Sequence, residues 1–162
     1  GTLVMENSTV QGSDAGARGG AIYNTELVIV RDSLFVDNYA ADYGGAIFNG
    51  DRLEVQRSTF EYNGAQPLTG TGGAIYNFHT GDLDVQSSTF WRNGAPTGGA
   101  IADDGGDLEV VNSSFSDGTD GGAIQAGSGS IMNSTFYANL GVDVIDTDDS
   151  ADPLTLVNTI QV

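Results

Sequence analysis

Gly44-Gly45-Ala46-Ile47, followed by Leu53-Glu54-Val55, Ser58-Thr59-Phe60 and Asn63, is one copy of a unit that recurs along the whole chain. The tetrapeptide begins again at Gly19, Gly72, Gly98 and Gly121, so its five copies are spaced by 25, 28, 26 and 23 residues. The second block returns as Leu83-Asp84-Val85 with Ser88-Thr89-Phe90, and as Leu108-Glu109-Val110 with Ser113-Ser114-Phe115. Weaker copies are Leu3 with Ser8-Thr9-Val10, Leu27-Val28-Ile29 with Ser33-Leu34-Phe35, Ile131 with Ser134-Thr135-Phe136, and Leu154-Thr155-Leu156 with Asn158-Thr159-Ile160. A repeat of this length marks a solenoid whose coils bury a shared core, and the copies predict about seven coils of roughly 21–30 residues.

Within each repeat three short runs alternate apolar and polar residues between Gly, Asn, Asp and Ser, and no helical period competes with them. The expected fold is therefore all-β: a right-handed parallel β-helix with three sheets, one domain over residues 1–162. Equivalent strands then stack about 4.8 Å apart, giving a rod about 30 to 35 Å long in which like residues lie over like. Phe35, Phe60, Phe90, Phe115 and Phe136 should form an aromatic column, with Val10 and Ile160 at its ends. The Leu-x-Val pairs should supply a second apolar wall, and Ile22, Ile47, Ile75, Ile101 and Ile124 a third. The paired glycines suit a sharp corner that needs positive φ or close backbone approach. Asn38, Asn63, Asn93 and Asn139, each three residues after a Phe, are read as a hydrogen-bonded turn ladder.

Gly-Gly-Ala-Ile alternating with Phe-x-x-Asn at Phe35 to Asn38, Phe60 to Asn63, Phe90 to Asn93 and Phe136 to Asn139 resembles the repeats of the chlamydial polymorphic outer membrane proteins. The resemblance covers nearly the whole chain. It implies a pectin-lyase-like β-helix, displayed at the cell surface as an autotransporter passenger and engaged in adhesion. The pattern departs from that family at Gly118, at Val10 with Ser13, and at Gly141-Val142-Asp143-Val144-Ile145, where the tetrapeptide is lost.

Twenty-two acidic residues stand against five arginines and no lysine, for a net charge of −17. That field repels phosphate, which argues against a nucleic-acid partner, and favours cations and basic proteins. The excess of short carboxylates also suits a halophilic source. Cysteine is absent, which removes disulfides and thiolate metal sites from consideration. No stretch approaches the roughly 20 apolar residues of a membrane span, and Gly1-Thr2-Leu3-Val4 is unlike a signal peptide. The chain reads as an extracellular or cell-surface segment, either a mature product or a piece of a longer solenoid.

Two function classes compete. The first is a non-enzymatic structural or adhesive module. Its expected partners are a surface protein or glycan, or further coils end to end, with a self-assembling filament as the close variant. Trp91, Arg92, Tyr39 and Tyr43 are the candidate contact residues, because exposed aromatics are enriched at binding sites. The second is a polysaccharide lyase or hydrolase. The pairs Asp103-Asp104 and Asp148-Asp149 invite it, yet the one histidine, His79, precedes Thr80, and the arginines are scattered along the chain. No catalytic residue and no organic cofactor is assigned. Calcium is the one ion considered: Asp103, Asp104 and Asp107 around Gly105-Gly106 form one oxygen-rich loop, and Asp146, Asp148 and Asp149, with Asp143 and Asp152, a second. Neither follows a defined calcium loop. Ice binding through the column Thr9, Thr59, Thr89, Thr135 and Thr159 fails on regularity, because Leu34 and Ser114 interrupt it.

Overall fold

The computed structural model describes residues 1–141, 144–147 and 153–161. Its strands are short because the repeat changes direction every three to five residues, and every pairing between them is parallel. The first sheet stacks Thr2–Glu6, Leu27–Arg31, Arg52–Gln56, Asp82–Gln86, Asp107–Val111, Ser130–Met132 and Thr155–Val157. The second stacks Thr9–Gln11, Leu34–Val36, Thr59–Glu61, Thr89–Trp91, Ser114–Ser116, Thr135–Tyr137 and Ile160–Gln161. The third holds six strands: Ile22–Asn24, Ile47–Asn49, Ile75–Asn77, Ile101–Asp103, Ile124–Ala126 and Ile145–Asp146. A small fourth sheet, Asp14–Ala15, Tyr39–Ala40 and Gly64–Ala65, lies between the second and third in the first half of the rod. The described chain thus makes six full turns and part of a seventh, with no helix among its described residues.

The core is the set of columns that the repeat predicts. The rings of Phe35, Phe60, Phe90, Phe115 and Phe136 follow one another at 4.7–4.9 Å with planes within 4–6° of parallel. That separation is the coil spacing itself, so the rings stack with an offset. Ile22, Ile47, Ile75, Ile101 and Ile124 stack in register and continue to Ile145.

Two register assignments differ from the sequence reading. Val28 and Val30, not Leu27 and Ile29, stack on Leu53 and Val55, because the strand Leu27–Arg31 turns its alternate valines inward. At the far end Ile160 pairs with Thr135 and Gln161 with Phe136, so Ile160 does not close the phenylalanine column.

Each coil turns by a recurring device. Between first and second sheets a single residue adopts φ of 46° to 53°: Asn7, Asp32, Arg57, Ser87, Asn112, Asn133 and Asn158. After the second sheet Asp37, Tyr62, Arg92, Asp117 and Ala138 do the same at 50° to 55°. Entry into the third sheet uses glycine. Gly44 has φ of 66°, and a Cβ on Gly45 would overlap the carbonyl oxygens of Gly73 and Gly64. One glycine of the pair is required by its backbone conformation and the other by the approach of the next coil.

Candidate functional site

Polar side chains at the corners hold the coils in register. Asn38 Nδ2 donates to Asn63 Oδ1 at 2.9 Å, and Asn63 Nδ2 to Asn93 Oδ1 at 3.0 Å, so these three form the expected ladder. Gly118 interrupts it. Asn139 instead accepts from the Gly118 backbone N–H at 3.1 Å and donates to the Phe115 carbonyl.

Two further ladders escape the sequence reading. The hydroxyls of Ser33, Ser58, Ser88, Ser113 and Ser134 each accept the backbone N–H of the serine one coil earlier. Behind the third sheet Asn24, Asn49 and Asn77 are buried, each donating Nδ2 to the oxygen above it at 2.6 Å. Both were readable: serine precedes the first six strands of the second sheet, and the tetrapeptide extends to Gly-Gly-Ala-Ile-aromatic-Asn in its first three copies.

The amide ladder ends on a carboxylate. Asp103 is fully buried and accepts from Asn77 Nδ2 through Oδ1, while its Oδ2 has no hydrogen-bond partner. In the coils below, the corresponding Nδ2 of Asn24, Asn49 and Asn77 donates to the carbonyl before the next first-sheet strand, that of Glu26, Asp51 and Gly81. Gly106 precedes that strand here, so an acceptor stands where the pattern calls for a donor. Burial raises the pKa of Asp103 to about 6 from 3.8, against the lowering effect of the Asn77 and Gly106 hydrogen bonds and with the help of the charges on Asp104 and Asp107.

Outside the rod, three faces differ in chemistry. On the first sheet Glu54, Asp84 and Glu109 stack in register, with Asp82 and Asp107 in the next outward column. Arg52 is their cation, 3.1 Å from Glu54 and 3.6 Å from Asp82. On the second sheet Trp91 donates to Asp117 at 2.9 Å, meets Tyr62 edge-on, and carries the Arg92 guanidinium 4.7 Å above its ring.

The third sheet has the most apolar exterior. Tyr23, Phe48 and Tyr76 stack along it, with centroids 4.9 and 5.6 Å apart, and Phe48 and Tyr76 are almost fully buried. Beside them runs a column paired by parallel bridges, Arg18, Tyr43, Thr71 and Thr97. Its side chains lie over the rings: Arg18 is 5.1 Å from the Phe48 centroid, and Tyr43 is 4.7 Å from that of Tyr76. Tyr76 donates its hydroxyl to Asp104 Oδ2 at 2.7 Å, and burial together with that bond raises the phenol well above its ordinary pKa. His79 Nε2 stands 3.6 Å from the same oxygen.

A family model described as "right handed beta helix region" matches residues 1–160. The chain belongs to the right-handed β-helix family. No curated protein and no solved structure matches it.

The β-helix distributes the candidate residues over separate surfaces. Trp91 and Arg92 share one patch, Tyr39 lies on the central strand of the small fourth sheet, and Tyr43 belongs to the aromatic face of the third. Asp103 points into the wall of the β-helix, Asp104 outward to Tyr76 and His79, and Asp107 onto the acidic first sheet, so the three do not surround one point. Asp146 pairs with Gln125 at the end of the third sheet, while Asp143, Asp148, Asp149 and Asp152 lie outside the described residues. Among the described residues no three acidic or imidazole groups come together in a way that would hold a metal ion.

Proposed function

We propose that this β-helix is a non-enzymatic structural or adhesive module of a secreted or cell-surface protein, and that the outer face of its third sheet is the contact surface. The observation that carries the reading is the tyrosine and phenylalanine stack outside the coil, where Tyr23 and Phe78 remain exposed beside the buried Phe48 and Tyr76. The core needs none of these rings, since the coil interior is already filled by the phenylalanine and isoleucine columns. Large apolar rings edged by polar groups are the usual anchors of protein and glycan contacts. The repeated polar side chains support a rigid scaffold, because Ser and Asn at the corners direct their hydrogen bonds to neighbouring coils.

The test is a binding screen of immobilised protein against neutral and acidic oligosaccharides and short peptides, run beside a depolymerisation assay on the same polysaccharides. Retention of an unchanged ligand, lost on Tyr23→Ala or Phe78→Ala, is the expected result. Shortened polysaccharide products would replace this reading with the carbohydrate-active one.

A further inference from the structure

Outside the third sheet, packing stops part-way along the rod. Arg18 covers Phe48, and one coil on Tyr43 covers Tyr76. In the next two coils the covering column shrinks to Thr71 and Thr97, while the outward sheet position passes from Tyr76 to Ala102 and then Gln125. A recess of about 370 Å³ opens there, bounded by Tyr43 and Tyr76 at one end and by Gln125 and Asp146 at the other. Asp104 stands on its wall. Its Oδ2 already accepts from Tyr76, and among the described residues its Oδ1 accepts no hydrogen bond.

We infer that this recess receives an arginine side chain of a partner protein, stacked beyond Tyr43 and Tyr76 and paired with Asp104, while Asp146 at the far end adds to the negative field. The inference rests on the proposed contact role of this face and names what fills it. Charge complementarity selects the occupant: two carboxylates line the recess of a molecule with net charge −17, which draws a cation inward. Shape selects among cations. A planar guanidinium stacks on aromatic rings and forks to carboxylates, whereas an ammonium is compact and strongly hydrated. The molecule shows the stacking part of this arrangement once already, with the Arg18 guanidinium 5.4 Å from the Tyr43 centroid and 5.1 Å from that of Phe48.

The test is an NMR titration of the full chain with acetyl-Gly-Arg-Gly-amide, with the citrulline peptide as an uncharged isostere. Saturable shifts at Tyr43, Tyr76, Asp104 and Gln125 are expected. The citrulline peptide should bind about tenfold more weakly, and Asp104→Asn should produce a loss of similar size. A double variant on the acidic first sheet, Asp84→Asn with Glu109→Gln, should leave the affinity unchanged. Shifts centred on that sheet, or an affinity that Asp104→Asn does not alter, would overturn the inference as diffuse attraction to an acidic protein. Recess shifts with a neutral oligosaccharide and none with the arginine peptide would also overturn it, yet leave the face as a contact surface. Loss of all binding to the face would overturn both.

Discussion

Asp103 shows how one residue departs from the pattern around it. A proton on Oδ2 would supply the donor that the Asn24, Asn49 and Asn77 amides supply one to three coils below. The folded protein therefore holds this proton up to a pH of about 6, while the unfolded chain releases it near 3.8. Between those values the folded state binds more protons, so stability falls as pH rises through the window and is level above it. The loss is at most about 3 kcal/mol. Asp103→Asn should remove this slope and raise stability at pH 7.5 by about 1–3 kcal/mol, as read by urea unfolding at pH 4.5 and 7.5. A variant less stable than the parent at pH 7.5 would contradict it. Ala138 is a second local strain: its φ is 50° at the corner that Gly12, Asp37, Tyr62, Arg92 and Asp117 hold in the other coils, a conformation that costs alanine about 1 kcal/mol. Ala138→Gly should raise the unfolding midpoint, whereas the same change at an ordinary strand position lowers it.

At the scale of the element, the apolar columns were legible because side chains stacked every coil must repeat. Phe35 to Phe136 and Ile22 to Ile124 are read directly from spacing. Leu27 misleads because Leu27-Val28-Ile29-Val30 is apolar at every position, so alternation cannot say which residues face inward. Tyr62, Arg92 and Ala138 as left-handed corners were not legible, because a corner held by both neighbouring coils tolerates residues that propensity disfavours. The recess was equally hidden, since it depends on which loop residue lies over which sheet residue. Glycines separate in the same way. Gly45→Ala forces a methyl into the carbonyl of Gly73 and should prevent coil stacking, whereas Gly64→Ala meets nothing nearer than 3.6 Å and should change stability by no more than about 0.5–1 kcal/mol. Thermal melts followed by circular dichroism distinguish the two, and equal effects would contradict the close-approach argument.

For the molecule as a whole, charge and shape act together. Glu54, Asp84 and Glu109 stand on adjacent parallel strands, where like charges oppose stacking. Salt screens that repulsion, so the melting temperature should climb between 50 mM and 1 M sodium chloride, and a fall would contradict the electrostatic account. The rod is rigid because each coil is tied to the next through its core columns and its polar corners, which leaves the exterior free to vary without loss of fold. The acidic first sheet and the aromatic third sheet are two such exteriors, and the second is the one proposed to make contact. The most direct test is an NMR footprint of the first peptide or oligosaccharide retained in a binding screen. Perturbed amides clustered around Tyr23, Tyr43, Tyr76 and Asp104 are predicted. A footprint on the acidic first sheet or around Trp91 and Arg92, or conversion of the ligand during the titration, would contradict the account.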